Sequence, residues 1–444
     1  MLIALGIVLF ILGLLFSIWF HELGHFTAAR KFNMRVSQFM VGFGKTVWSR
    51  RIGETEHGIK AIPLGGYIRI IGMIPPLGHS SSKRKQRNGP IARLVSDVRD
   101  ASLLELQPGD DTRAFYTKPW WQRAIVMFAG PFQNLILAFV FFAIVLCVIG
   151  VHTPSLTVST VSQCVTPGNS TVTDCATPID TKGKECIAGQ ANCALPPASP
   201  AAEAGLKPGD KIISVNGQAA GSWDDVRAKI RVSAKQELNI VVDRGGNELT
   251  LAVTPLPNTI ASDTDPKKFV TVGYVGFSPT TPLVTQSLAD VPSTIWTYAS
   301  TTAQRLVQIP QRVPQLIQAT FAGAQRDPNG PVGLVGVGRI SGEIFNLPEP
   351  VIDKIAYLLS LLASLNLVLF LFNLVPLYPL DGGHIAGALY EGARNGIYRI
   401  RGLPRPGPFD VARIMPLAYV VAAAFILFSG LLVIADIVNP ITLS

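Results

Sequence analysis

The residues best suited to chemistry are His21, Glu22 and His25, in the run Phe20-His21-Glu22-Leu23-Gly24-His25. Residues four apart lie on one face of a helix, so both imidazoles project together with Glu22 beside them. Two imidazoles, a neighbouring carboxylate and an open coordination position make a hydrolytic zinc centre. Residues 2–20 carry no charge and a single hydroxyl, Ser17, and are long enough to cross a bilayer as a helix. An ionisable side chain within a span costs roughly 2.5–3.5 kcal/mol on insertion scales. Three such groups in five positions therefore demand ligation or neutralisation.

Hydrolytic zinc takes three protein ligands, so one more must come from elsewhere. A second apolar run, 355–374, leads into Asn373-Leu374-Val375-Pro376-Leu377-Tyr378-Pro379-Leu380-Asp381-Gly382-Gly383-His384. Its prolines and glycines break the helix, and broken backbone at membrane depth is tolerated where it lines a site. Asp381 stands at that break. Taken alone it would be a helix-capping aspartate; opposite a histidine pair it is the third ligand. Glu22 is then the general base that takes a proton from water and gives it to the leaving amine. A fourth protein ligand would close the site, so His384 is read as supporting or structural. Asn373 suits either a substrate backbone or a helix–helix hydrogen bond.

The elements that position these residues are legible in composition. The chain has 444 residues, 48% of them hydrophobic and 15% charged, which indicates a membrane core with small soluble domains. Spans are expected within 1–35, 123–151, 351–384 and 416–444. The first lacks a basic leader and a small-residue cleavage site, so it is retained. The net charge of +9 is a topology signal, with no nucleic-acid module to account for it. Arg30, Lys31, Arg35, Lys45, Arg50 and Arg51 follow the first span; Arg394, Arg399, Arg401, Arg405 and Arg413 follow the third. The positive-inside rule makes both segments cytoplasmic and both termini extracytoplasmic. The histidine pair and Asp381 then share a depth, towards the cytoplasm.

Between the spans, 36–73 reads as a membrane-associated β-hairpin region with an edge able to hold an extended peptide. Residues 74–122 read as a cytoplasmic linker, low in order signals over 74–118, whose run Lys83-Arg84-Lys85-Gln86-Arg87 is solvated or touches lipid. The second span holds Gly130-Pro131 and Asn134, whose polar groups require neighbouring helices. Residues 152–260 are expected as an extracytoplasmic domain, 261–350 as an extracytoplasmic helical segment with helices over 283–326, and 385–415 as a cytoplasmic loop. Asp436 reads as an interfacial charge. Cys147 lies in an apolar run as a packed thiol. Cys164, Cys175, Cys186 and Cys193 point to two disulfides in an oxidising compartment, their connectivity open. A four-cysteine zinc site is the alternative, which the irregular spacing disfavours.

Residues 199–217, 223–230, 238–242 and 249–253 follow a helix–turn–strand pattern that resembles a bacterial PDZ domain; the cysteine-bearing segment departs from it. The expected fold is a multi-pass α-helical membrane protein with four transmembrane helices, a membrane-associated β-hairpin region and an extracytoplasmic α+β PDZ-like domain. The His21-Glu22-x-x-His25 motif, paired with Asn373-x-x-Pro376-x-x-Pro379-Leu380-Asp381-Gly382-Gly383, resembles the site-2 protease family, the intramembrane zinc metalloproteases of peptidase family M50. Gly42-Phe43-Gly44, Pro63-x-Gly65-Gly66-Tyr67, Gly130-Pro131-x-x-Asn134 and Gly330-Pro331-Val332-Gly333 are similar to its bacterial regulator-of-sigma-E protease group.

The resemblance implies a zinc metalloendopeptidase of the bacterial plasma membrane, with Zn2+ on His21, His25 and Asp381 and Glu22 as base. It implies membrane-spanning substrates of the anti-sigma-factor type, first trimmed outside by a site-1 protease. The hairpin would clamp the unwound substrate, and the PDZ-like domain would act as size filter or gate. Asn373, Pro376, Gly65 and Gly66 are the substrate-binding candidates. Two other classes compete. A metal or proton transporter also buries His, Glu and Asp, but should carry internal repeats, and none is visible. A PDZ-type scaffold with a vestigial metal site is the third.

Overall fold

The computed structural model describes residues 1–76, 90–167, 170, 172, 174–180, 183–190, 192–261, 269–327, 330–404 and 406–442. The basic run at 83–87 and Arg405 lie outside the described residues. The chain divides into two compact units, Gly150–Thr285 and the remainder. Among the described residues, four helices are long and apolar enough to cross a membrane: Leu2–Lys31, Trp120–Ile149, Val351–Asn373 and Met415–Val438.

The larger unit begins with α1 (Leu2–Lys31), followed by β1 (Val36–Ile52) and β2 (Thr55–Ile70). The two strands pair antiparallel, and the ribbon folds back on itself. Gln38–Val41 pair on one side with Gly66–Arg69 and on the other with Glu56–Ile59. The strip Gly66–Ile70 thus has a partner on one side only among the described residues.

Composition predicts little order over 74–118, yet α2 (Pro90–Leu103) and two short 3-10 turns lie there. Ion pairs distant in sequence hold them. Arg99 donates to both Asp410 carboxylate oxygens at 2.8 and 2.9 Å, and Arg35 reaches Asp110 at 2.5 Å. Local propensity carries no signal of either pair. Next comes α3 (Trp120–Ala143), prolonged by a π-helical turn over Ile144–Ile149.

The second unit holds β3 (Val151–His152), β4 (Val158–Val161), α4 (Pro200–Glu203), β5 (Lys211–Val215), β6 (Gln218–Ala219), α5 (Trp223–Val232), β7 (Leu238–Arg244) and β8 (Asn247–Val253). Four of these strands form a sheet in the order β6-β5-β7-β8. Val226 and Ile230 of α5 pack with Ile212, Ile240, Val242 and Val253 as an aliphatic core. Asn216 and Gly217, both with positive φ, close the β5–β6 hairpin. The unit continues past residue 260, where composition placed its end. β9 (Leu256–Ala261), β10 (Phe269–Tyr274), β11 (Phe277–Pro279) and β12 (Leu283–Val284) return to pair within it: β10 with β9, β11 with β4 and β12 with β3. The disulfides are Cys164–Cys175 and Cys186–Cys193, and Cys147 is free. That pairing removes the four-cysteine zinc alternative.

Back in the larger unit, α6 (Val291–Val307) packs on α3 and α9, and α7 (Ile309–Phe321) on α11. Then come α8 (Leu334–Asn346), α9 (Val351–Asn373), α10 (Asp381–Ile400) and α11 (Met415–Val438). Phe10 of α1 packs with Ile344 and Phe345 of α8 and Leu358 and Leu362 of α9. Gly13 of α1 faces Leu362, and the Asn366 amide donates to Ser17 Oγ at 2.9 Å. These contacts advance in the same direction along both chains, so α1 and α9 run parallel.

Two sequence readings change here. Asp436 is not an interfacial charge but fully buried. It accepts from Arg326 Nη2 and from the Gly336 backbone N–H, each at 2.7 Å. Glycine at 336 permits that approach, because a Cβ there would stand 2.8 Å from the Asp436 carboxylate. The segment expected as a loop over 385–415 is helical as far as Ile400. Gly382 and Gly383 punctuate the chain, but at the first turn of a helix they interrupt nothing.

Candidate metal centre and active site

α1, α3 and the α9–α10 turn build the site. His21 and His25 stand one helical turn apart on α1, with their Nε2 atoms 3.1 Å from each other. Asp381, the first residue of α10, places Oδ2 3.3 Å from each of them. Three electron-pair donors converging in a mostly buried site repel one another unless a cation or protons lie between them. Tetrahedral zinc with bonds of roughly 2.0–2.1 Å sets neighbouring donors about 3.3 Å apart. The spacing and the donor types fit one such ion, and among the described residues this is the group able to hold a metal.

Backbone geometry makes the convergence possible. Pro376 and Pro379 end the helical ladder of α9, and the Tyr378–Pro379 bond is cis. Gly383 lets α10 start close to this turn, since a Cβ there would lie 2.7 Å from the Tyr378 backbone nitrogen. A Cβ at Gly130 of α3 would collide with His25 Nε2, and one at Gly24 would strike the Ala129 carbonyl. Glycine at both positions brings α1 and α3 together and leaves room for the ligand ring.

α3 also holds the histidines from behind. His25 Nδ1 lies 2.7 Å from the Val126 carbonyl oxygen, which only a protonated Nδ1 satisfies. Its Nε2 therefore faces Asp381 with a free electron pair. His21 Nδ1 meets the side-chain amide of Asn134 at 3.0 Å. The sequence marked Asn134 as a polar group needing a partner but gave no sign of which one. Asn366, which tethers α9 to α1, passed without notice because an asparagine in an apolar run carries no spacing signal.

The donors open onto a cavity of about 300 Å³, lined also by Glu22, Gly66, Tyr67, Ile68, Asn373 and His384. Glu22 is buried, and a Cβ at Gly66 would stand 2.9 Å from its Cγ, so the missing side chain keeps the cavity open beside the carboxylate. Gly66, Tyr67, Ile68 and Ile70 of this strip line the cavity. Asn373 donates to the Leu369 carbonyl of its own helix at 3.0 Å while lining the cavity. Gly65 has φ +104 and abuts Phe43. Pro376 lines a different, apolar cavity of about 380 Å³ between α10 and α11. His384 stacks edge-on to Tyr378 at 4.7 Å and is not one of the three converging donors.

The chain is similar to known proteins over most of its length. The model of peptidase family M50 matches residues 9–402. The zinc metalloprotease Rip1 of Mycobacterium tuberculosis is 32% identical over the whole of both chains. The metalloprotease MmpA of Caulobacter vibrioides is 28% identical over 88% of this chain and 87% of its own. The regulator of sigma-W protease RasP of Bacillus subtilis is 25% identical over 85% of this chain and 87% of its own. With the family model spanning most of its length and a full-length relative at 32% identity, the chain belongs to peptidase family M50 and is a multi-pass zinc metalloprotease of the membrane.

Proposed function

We propose that His21, His25 and Asp381 hold the zinc, that Glu22 is the general base, and that the enzyme cuts peptide bonds inside transmembrane segments. One observation carries this reading: three ligand atoms, two on α1 and one at the start of α10, meet within 3.3 Å although more than 350 residues separate Asp381 from the histidines. Zinc held there would acidify water and polarise the scissile carbonyl. Glu22 takes the proton released as water attacks and delivers it to the departing amine nitrogen. Asp381 offsets part of the ion's charge.

A bond within a transmembrane helix is shielded by its own backbone hydrogen bonds, so the substrate must unwind. The unpaired edge at Gly66–Ile70 suits an extended segment added as a further strand, with Gly65 and Gly66 against its backbone. Asn373 keeps a second amide proton for a substrate carbonyl. Pro376 would meet substrate side chains in the adjoining apolar cavity. Anti-sigma factors first trimmed by a site-1 protease are the proposed substrates; the link to sigma-factor regulation is favoured by the similarity to the regulator of sigma-W protease RasP. The charge pattern favours extracytoplasmic termini and a site towards the cytoplasm. Gly150–Thr285 is proposed as a PDZ-like filter, whose cavity of about 260 Å³ between α5 and β10–β11 would take a chain end.

Glu22→Gln in reconstituted membranes tests the chemistry. Cleavage of a membrane-spanning substrate should vanish while zinc stays bound; continued cleavage removes Glu22 from its role. Asp381→Ala should lose zinc, and unchanged occupancy would strike Asp381 from the ligand set.

A further inference from the structure

We propose that Asn134 is a positioning residue for the metal site: its amide oxygen accepts the Nδ1 proton of His21 and so fixes the tautomer whose Nε2 faces the ion. This rests on the assignment of His21 as a ligand. The Asn134 amide nitrogen lies 3.0 Å from His21 Nδ1, while its oxygen is buried without a hydrogen-bond partner. The two ends of an amide have the same shape, and their assignment follows from the hydrogen-bond network.

With the nitrogen towards His21, Nδ1 must accept, and the ring proton sits on Nε2. That proton would point at His25 Nε2 and Asp381 Oδ2, the other two donors, and would block ligation. With the oxygen towards His21, Nδ1–H donates and the Nε2 electron pair is free. One end of the amide lacks a partner in either orientation, so the turn adds no orphaned group.

The arrangement repeats along α3. Val126, Gly130 and Asn134 are spaced four residues apart, on one face of that helix. The Val126 carbonyl holds Nδ1 of His25, Gly130 leaves space for the His25 ring, and Asn134 meets Nδ1 of His21. α1 supplies two ligands at i and i+4, and antiparallel α3 supplies their anchors at the same period. The Gly130-Pro131-x-x-Asn134 spacing thereby gains a physical meaning. Partners of this kind, on the far nitrogen of a ligating histidine, set its orientation and basicity.

The test measures zinc affinity of the full-length protein in nanodiscs by competition with a chromophoric chelator. Asn134→Leu removes the acceptor and should weaken zinc about 10–100-fold. Asn134→Asp keeps an acceptor and should hold zinc as tightly as the wild type. The Co2+-substituted Asp variant should keep the wild-type visible absorption, and the Leu variant should not. Wild-type affinity in the Leu variant, or an Asp variant as weak as Leu, overturns the proposal. Independently of any variant's folding, 15N-histidine spectra of zinc-loaded wild type should show the proton of His21 on Nδ1, and a bare Nδ1 overturns it. His21→Ala separates the two levels: if it leaves zinc affinity unchanged, the ligand assignment itself fails. If it abolishes binding while Asn134→Leu does not, only the positioning role fails.

Discussion

The two units draw on different balances of buried apolar and polar contact. Gly150–Thr285 closes around aliphatic side chains, with Val226, Ile240, Val242 and Val253 fully buried, and carries two disulfides. The larger unit buries Ser17, Glu22, His25, Asn134, Asn366 and Asp436, and lets helices approach where glycine replaces a side chain. On the proposed placement of Gly150–Thr285 outside the membrane, solvent accounts for the contrast. In water, burying apolar surface drives association. Between helices in lipid that force is absent, so small residues and hydrogen-bonded polar groups provide the specificity. The polar groups that hold the bundle are therefore also the ones available for chemistry.

Substitutions that respect one set of rules and violate the other sharpen this contrast. The largest effect is expected at Gly130→Ala, where the added methyl meets His25 Nε2. Zinc affinity should fall at least about 100-fold, read by metal content after dialysis, while hydrogen exchange over residues 150–285 stays as in the wild type. Retained zinc would mean that α3 moves aside at little cost. Next comes Arg326→Leu, which leaves the Asp436 carboxylate buried without its cation. Breaking a buried pair from one side costs about 3–5 kcal/mol, visible as earlier thermal unfolding in detergent. A matched change to apolar residues on both sides should recover much of the loss.

In the smaller unit, Ile240→Ala removes a fully buried side chain and should cost about 2–5 kcal/mol. Faster exchange confined to residues 150–285, with zinc content unaltered, is the expected signature; loss of zinc would show the two units to be coupled. The smallest effect concerns pH. The Arg244 guanidinium, with Nε and Nη2 each 2.7 Å from an Asp210 oxygen, holds that carboxyl below its usual range. A lowered folded value stabilises fully above the unfolded carboxylate pKa of about 3.9 and is lost as pH falls through the folded value. Arg244→Gln should therefore exchange faster than wild type at neutral pH, with the gap closing in acid. A gap constant with pH would mean the pair contributes no such linkage.

The HExxH pair and the Asn373-to-Gly383 break were legible because lipid makes ionisable groups and helix breakers conspicuous. The hairpin strands and the four spans were legible from period and run length. Helix α2 was not, since Arg99 and Asp410 are more than 300 residues apart and neither differs locally from a solvated charge. Helix α10 was missed for the opposite reason: its two glycines read as punctuation, although at a first turn they are tolerated.

Residue types and spacing alone determined which chemistry this chain could perform, because an i, i+4 histidine pair beside a carboxylate has few other uses inside a membrane. Only the tertiary structure decided how that chemistry is held. The distances at which Asp381 approaches the histidines, the room that Gly130 leaves and the contact of Asn134 with His21 depend on how three helices cross. Crossing geometry is set by side-chain shape at contacts remote in sequence, and no local pattern encodes it.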